Sequence, residues 1–566
     1  MSSIRRHPIT AGGVGGYGAP KNKGSGILMT AFAAFGGILF GYDTGIINGV
    51  KEMRNWLQTF GYETDKGEWD ITTSTESLIV SILSAGTFFG ALFAAPVADR
   101  LGRKGGLILA CIIFCIGVGL QTGTTSVAVF VGEFAHFIGE GHNLMIPTVG
   151  RVFAGLGVGM VSCLVPMYQS ECSPKWIRGA VVSGYQWAIT FGLLLASLVN
   201  NATRNRQNHS AWRVPIAIQF LLASILVIGM IALPESPRYL IKRGRDQDAQ
   251  RSLARLLSLH PEDPEVETEL DDIRANLREE EELGSSSYAD CFRQGPNKIL
   301  TRVMTGVFLQ AWQQLTGINF IFYYGTTLFT NIGIKNPYRV AIATNVVNVG
   351  MTIPGIYLID KIGRRRLLLI GAAGMIVCEY LVAIIGVTIS VDNQAGQKVL
   401  VAFVCIYIAF FASTWGPIGW VLPSEIFPLA IRAKAMSLST ASNWLWNFGL
   451  SHATPYLVND GKGNANLRVK VFFLWGSTCV GCLLFTYFLV PETKGLSLEQ
   501  IDILYQNVNA IHSVAYRRQL IEDDVHAADP DAIARVTWRV AHEHGLHGFR
   551  STKPRPEMEE VRRDDV

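Results

Sequence analysis

Charge is scarce in this sequence: Asp, Glu, Lys and Arg make up 17% of 566 residues, hydrophobic residues 49%, and mean hydropathy is +0.27. Soluble domains carry about 25% charged residues, so a soluble globular protein is the wrong class. Metal-ligand spacing is also missing. Seven of the nine cysteines (Cys111, Cys115, Cys163, Cys378, Cys405, Cys479, Cys482) fall inside apolar runs, where they serve as small buried apolar side chains. No nucleophile, metal or phosphate-binding motif supports an enzyme or a cofactor, and "GGVGGYG" (12–18) lacks the strand and helix that a nucleotide loop requires. A net charge of +4 and the lack of any basic aromatic patch give no sign of a nucleic-acid partner. The first apolar run has neither a short basic n-region before it nor a small-residue cleavage site after it, so it reads as an uncleaved span and not as a signal peptide.

Long apolar runs are what the chain does have. A bilayer core needs about 20 apolar residues per helix, and such runs recur at 27–49, 75–97, 107–127, 149–170, 180–200, 212–233, 303–325, 338–359, 367–389, 399–421, 436–457 and 470–490. The expectation is an all-α membrane protein with twelve spans. Lys/Arg-rich short loops are cytoplasmic, and "DRLGRKGG" (99–106), "SPKWIRG" (173–179), "PRYLIKRGR" (237–245), "DKIGRRR" (360–366) and "IRAKA" (431–435) all fall on one side of that count. Both termini are then expected inside a plasma membrane. The two Asn-x-Ser/Thr sequons, Asn201 and Asn208, fall on the other side, where glycosylation occurs.

The chain repeats itself. "DRLGRK" at 99 is answered by "DKIGRR" at 360, Glu171 and Arg178 by Glu425 and Arg432, and "PES" at 234 by "PET" at 491, in the same order and at nearly constant offset. Two six-span halves related by duplication follow, with a substrate site at the midplane between them. The expected organisation is a cytoplasmic tail (1–26), an N-terminal half (27–233), a cytoplasmic linker with short charged helices (234–298), a C-terminal half (299–490) and a cytoplasmic tail (491–566) that begins with a docking amphipathic helix, "SLEQIDILY". Each Glu-to-Arg spacing is seven residues, which sets the acid at the end of one span and the base at the start of the next. Ion pairs at that rim are expected to hold the halves shut on the cytoplasmic side.

Polar side chains inside spans are expensive and normally face a cavity. They concentrate in "QQLTGINFIFYY" (313–324) and "SNWLWNF" (442–448), with Gln186, Asn348 and Trp420 in other spans. Amides meet hydroxyl groups in plane and an aromatic face covers the C–H face of a pyranose, so this set suits an uncharged polyol or sugar. Thr316 and Gly317 permit a local helix break that turns Asn319 toward the cavity.

Taken together, "GRKGG", "PMYQSECSPKWIRGA", "PESPRYL", "QQLTGIN", "DKIGRR", "PSEIFPLAIRAKA" and "PETKG" resemble the sugar porter family of the major facilitator superfamily, and are most similar to fungal monosaccharide transporters. The resemblance spans about 27–505 and implies that Gln186, Gln313, Gln314, Asn319, Asn348, Trp420 and Asn443 contact a monosaccharide. It further implies that Glu171, Arg178, Asp360, Arg364, Glu425 and Arg432 form the cytoplasmic gate. Mammalian facilitative glucose carriers have a glutamate where this chain has Ala412, so their specificity does not transfer. In proton-coupled members, an aspartate matching Asp43 of "LFGYDTGIING" (39–49) is the proton site and an arginine matching Arg151 is its partner. The function expected is proton-coupled import of glucose or a related hexose or pentose, with a facilitative carrier and a non-transporting sugar sensor as alternatives.

One segment does not fit. "GEFAHFIGEGHNLMIPT" (132–148) lies between the third and fourth spans, where related porters have a very short external loop. Its codons can contain a splice donor (GTGAGT), a branch-like CTAATG and an acceptor AG, and excision would remove 17 codons in frame to join "AVFV" to "VGRVFAGLG". The expectation is a retained intron.

Overall fold

The computed structural model describes residues 24–64, 67–123, 150–173, 178–282, 287–295, 297–331, 336–389, 393–428, 431–461, 463–496 and 498–528. The segment 132–148, the side chain of Arg178 and most of both tails lie outside them. Residues 19–514 form one compact unit. Of the second unit (1–18 and 515–566), the described residues belong to the helix Ser513–Ala528.

The spanning elements of the N-terminal half are α1 (Phe35–Val50), preceded by a short helix Gly24–Phe32, α2 (Thr73–Gly123), α3 (Gly150–Cys172), α4 (Arg178–Thr203) and α5 (Ser210–Ala232). Those of the C-terminal half are α6 (Ile299–Leu315), α7 (Ile318–Asn331), α8 (Pro337–Ile362), α9 (Arg364–Thr388), α10 (Gln394–Ser413), α11 (Trp415–Ile426), α12 (Arg432–Val458) and α13 (Val471–Leu489). Among the described residues, nine helices are long and apolar enough to cross a membrane. The remaining passes have physical reasons for escaping that test. The 51-residue α2 crosses twice, turning at Gly102 (φ 83°). The seventh span is broken between α6 and α7, and α12 carries too many amides and hydroxyls along its buried face. Twelve passes result, as expected from the apolar runs.

Helix association in a bilayer depends on close backbone approach at small residues, and α1 shows this directly. Gly37, Gly41, Gly45 and Gly49 recur every four residues and face Tyr185, Ile189, Leu193 and Asn200 of α4. A Cβ at Gly41 would collide with the carbonyl oxygen of Ile189. Gly86 and Gly90 of α2 meet α3 in the same way, through the carbonyl oxygens of Val152 and Leu156.

Between the halves lie helices Pro237–Lys242, Asp246–Leu257 and Pro264–Glu282, which share a small core of Leu240, Ala249, Leu253, Ala254, Val266 and Leu270. The charged stretch read from sequence is thus helical on its own apolar stripe, with Arg274 bound to Asp246, Glu267 and Asp271. Beyond the last span, helix α14 (Leu498–Asn507) docks through Asp502 on the fully buried Arg302 of α6, whose guanidinium also lies 4.6 Å from the Tyr505 ring centroid. A two-stranded hairpin, β1 (Tyr62–Glu63) with β2 (Trp69–Asp70), follows α1.

Candidate functional site

The repeated motifs build the same structure twice at one end of the bundle. Gly102 and Gly363 adopt positive φ (83° and 101°), and a Cβ at either position would strike a carboxylate, that of Glu235 or Glu492. Each glycine turn aims two backbone N–H groups at that carboxylate: Arg103 and Lys104 donate to Glu235 at 3.0 and 3.2 Å, and Arg364 and Arg365 donate to Glu492 at the same distances. Burial pushes the Glu235 carboxyl above its ordinary value, and the N–H groups of Ser236, Lys104 and Arg103 work against that. The first arginine of each turn then reaches a second acid, Arg103 to Glu171 and Arg364 to Glu425, both at 2.7 Å. Ser236 and Thr493 donate to those same acids.

Of the residues expected in the gate, Arg364 pairs with Glu425 and Asp360, and Glu171 pairs with Arg103, each inside its own half. Arg432 donates to the Phe427 carbonyl at 3.1 Å. The glycine turns deliver Arg103 and Arg364 to these acids in three dimensions. Between the halves at this end, Ser437 donates to the Ala91 carbonyl (2.8 Å) and Tyr288 to that of Leu92 (3.0 Å), while Gly179 of α4 lies against Asp360 and Arg364.

At mid-depth the amides form separate hydrogen-bonded groups. Gln313 donates to the carbonyls of Trp415 (2.9 Å) and Gly416 (3.1 Å) at the start of α11, and accepts from Asn443 (2.9 Å), which also donates to Gln310 (2.6 Å). Gln314 accepts from Asn319 and from Asn447 (3.0 Å). Asn447 is in turn bonded by Ser84 of the other half (2.6 Å) and by Tyr323 (3.2 Å). The indole of Trp420 donates across the seam to Gln186 at 2.9 Å, and that of Trp444 to Ser162 at 3.1 Å. Asn348 is 1% exposed and neither of its amide atoms has a partner. The break expected at "LTGIN" is present: Gly317 sits at φ +78°, and Tyr407 donates to the freed Thr316 carbonyl at 2.7 Å.

Six of the seven residues assigned to the sugar therefore fall into three hydrogen-bonded pairs, Gln313–Asn443, Gln314–Asn319 and Gln186–Trp420; Asn348 stands apart. Sequence reading missed Gln310, Asn447 and Ser84. The signal for the first two was available, because Gln310 is three residues before Gln313 and Asn447 four after Asn443, on the same helix faces. Ser84 carried none.

Asp43 and Arg151 are both fully buried, at 0% and 1% exposure, within electrostatic range of each other. They are not paired in this arrangement. Neither Asp43 oxygen has a hydrogen-bond partner, nor do Nε and one terminal nitrogen of Arg151, and Gln219 lies beside Asp43 with both amide atoms unpartnered. A second intramembrane acid that sequence reading passed over, Glu379 of α9, also has both oxygens unpartnered. Of the sequons, Asn208 is in an exposed turn and accepts from Ser210, whereas Asn201 lies in the last turns of α4.

The seam is closed at the opposite end as well, where Ser77 meets His452 (2.9 Å), Tyr338 donates to the Gly49 carbonyl (2.9 Å) and Asn345 donates to Ser197 (2.8 Å). Within the C-terminal half, a cavity of about 10 Å³, room for about one water, is lined by Gln314, Asn319, Phe320, Tyr324, Ser451 and Trp475 of α6, α7, α12 and α13. Two repeated six-span halves meeting on a polar seam closed at both ends are the architecture of a multi-pass membrane carrier of the major facilitator type, in an occluded arrangement.

Residues 29–505 match the family model described as "Sugar (and other) transporter", and the chain belongs to that family. A major facilitator-type transporter of Aspergillus rugulosus, ecdD, is 50% identical over 520 residues, covering 89% of this chain and 92% of that one. The Neurospora crassa protein described as a probable glucose transporter, rco-3, is 45% identical over 495 residues, or 86% and 80% of the two chains. Among solved structures, the proton:xylose symporter XylE bound to 6-bromo-6-deoxy-D-glucose superposes with a TM-score of 0.70 at 28% identity, covering 86% of this chain and all of that one. These relatives are transporters, not enzymes.

Proposed function

We propose that the protein imports a monosaccharide, glucose or a related hexose or pentose, across the plasma membrane by alternating access, and that proton entry drives it. The observation that carries the sugar reading is the gathering of buried amides at mid-depth. Gln313, Gln314, Asn319, Asn443 and Asn447 converge from α6, α7 and α12, and Gln186 with Trp420 closes the arrangement from across the seam. A hydroxyl-rich, uncharged solute exchanges these amide–amide bonds for amide–hydroxyl bonds at little net cost, because every donor and acceptor keeps a partner. Asn348, with both its donor and its acceptor free in a dry site, is a ready contact.

Proton coupling rests on Asp43. A carboxylate buried without a hydrogen-bond partner is expensive in a membrane interior, and a proton on Asp43 removes the charge that the closed seam would otherwise have to solvate. In this reading the outward-facing state admits a proton and a sugar, closure separates a neutral Asp43 from Arg151, and opening inward releases both solutes so that the pair re-forms. Gln186, Gln313, Gln314, Asn319, Asn348, Trp420 and Asn443 serve as the sugar site. The paired Arg103–Glu171 and Arg364–Glu425 clusters keep each half rigid at the cytoplasmic rim while the halves move. Both termini lie in the cytoplasm, and the exposed Asn208 is the better placed glycan acceptor.

The test is radiolabelled sugar uptake in cells lacking their own hexose carriers, with competing sugars, with and without an uncoupler. Accumulation of a non-metabolised sugar that collapses with the uncoupler supports symport. Uptake that only equilibrates is the facilitator result, and binding without uptake is the sensor result.

A further inference from the structure

The opposite end of the bundle carries a buried ion pair that the sequence motifs do not mark. Lys51, at the end of α1, pairs with Glu76 in the first turns of α2, and the two are 2% and 6% exposed. Both belong to the N-terminal half. What covers them belongs to the other half: the Tyr324 ring of α7 lies with its centroid 4.1 Å from the Lys51 ammonium, and Asn459, just past α12, donates to the free oxygen of Glu76 at 2.8 Å. Next to the pair, Asn48 accepts from the Thr326 backbone N–H at 3.2 Å and Glu52 accepts from the Thr327 hydroxyl. Tyr324 also borders the small cavity of the C-terminal half that Gln314 and Asn319 line, and donates to the Ser451 carbonyl at 2.8 Å.

We propose that Lys51 is a positioning residue of the transport cycle: with Glu76 it holds α7 against the N-terminal half, so that the outer entrance closes when the Tyr324 ring and Asn459 seat on the pair. The inference rests on the alternating-access reading above. Its physical basis is the sign of the burial term. An ion pair taken out of water loses hydration that its own attraction does not reliably recover, so the pair alone favours the open, wet entrance. Closure is favourable only when the ring face and the amide replace that water, and both replacements come from the C-terminal half. A cation over a desolvated ring is worth about 2 kcal/mol, close to thirtyfold in a closing equilibrium. Because Tyr324 lies both at the pair and at the cavity, closure depends on where α7 sits, and a solute bonded to Gln314 and Asn319 beside the same break acts on that position.

The experiment uses the full chain in cells lacking other hexose carriers. Ser451, which lines the cavity, is replaced by cysteine as a reporter, and its alkylation by a membrane-impermeant maleimide is followed from outside, with the nine native cysteines alone as background. Lys51→Met strands a buried carboxylate in the closed state, so alkylation is expected to rise about tenfold, with the maximum uptake rate falling and the half-saturating sugar concentration changing less than threefold. Lys51→Arg is expected to stay within about twofold of the parent. The charge swap Lys51→Glu with Glu76→Lys keeps an ion pair but sets a carboxylate against the Tyr324 ring and an ammonium beside the Asn459 donor, so it is expected to recover less than a fifth of the lost rate, whereas a merely structural ion pair would be restored by it. Asn459→Leu, which leaves the pair intact, should raise alkylation about threefold, and it serves if the Lys51 variants do not reach the surface. Unchanged alkylation in surface-expressed Lys51→Met or Asn459→Leu would overturn the proposal. Alkylation reports access without requiring transport, so a wild-type chain that moves no sugar refutes the transport reading while leaving this test readable.

Discussion

Truncating Gln313 tests the candidate site most directly. Its amide is 4% exposed and makes three hydrogen bonds, two donated to the Trp415 and Gly416 carbonyls and one accepted from Asn443. A Cβ at Gly419 would fall on this amide, so α11 is seated closely against it. Gln313→Ala leaves two carbonyls of the first turn of α11 without that donor, whereas Asn443 keeps its bond to Gln310. At about 1 kcal/mol net for each bond that the amide can no longer make, whether to these partners or to the sugar hydroxyls that exchange for them, the total is ~3 kcal/mol, roughly a hundredfold in apparent affinity. The loss reaches Trp420 too, because the loosened turn begins the same short helix that carries the indole to Gln186. Asn319→Ala removes one bond to Gln314, which retains Asn447, so about tenfold is expected. The assay is uptake kinetics of fluorescently tagged variants in carrier-null cells, normalised to surface protein. Gln313→Glu is the informative control: it keeps the volume and turns an oxygen toward two carbonyls, so it should be no better than the alanine variant. Wild-type kinetics in both Gln313→Ala and Asn319→Ala, at normal surface level, would show that the sugar binds elsewhere.

Asp43→Asn should still bind sugar and exchange it across the membrane but fail to concentrate it; a one-proton symporter sustains about tenfold accumulation per pH unit, and a variant that accumulates a non-metabolised sugar like wild type would remove Asp43 from the coupling. Gly317→Ala should abolish most transport and lower the thermal midpoint in detergent, because Gly317 holds φ +78° and a Cβ there would lie 2.5 Å from the Trp475 ring; unchanged melting and uptake would show that the α6–α7 break is not required in this form. Complementary DNA is expected to lack the codons for residues 132–148 in its main form, and sequencing of the transcript decides it.

Hydropathy, repetition and residue chemistry are local properties of a chain, and they determined much of this protein. Twelve passes, two related halves, a helix break at Thr316–Gly317 and a set of amides suited to hydroxyl groups were all legible, because a bilayer admits few ways to bury apolar runs and makes each polar exception conspicuous. Partner choice was not legible. Glu171 and Arg103 are 68 residues apart, and Glu425 and Arg364 are 61 apart; they meet because glycine turns deliver each arginine to an acid on another helix of its own half. The spacing of the motifs suggested charges that shut the halves together, but it did not mark these two pairs, which lie inside each half. Asp43 and Arg151 were read as a pair, whereas in the closed bundle they are neighbours with no hydrogen bond to either Asp43 oxygen, a fact about one state of a moving protein that no motif encodes. No sequence motif marks Lys51 or Glu76, and only the approach of Tyr324 and Asn459 from the other half makes them a dry ion pair. Composition and periodicity decide which surfaces must be buried, but the energy of a charge depends on what lies within a few ångströms of it, and that is settled only when distant segments meet.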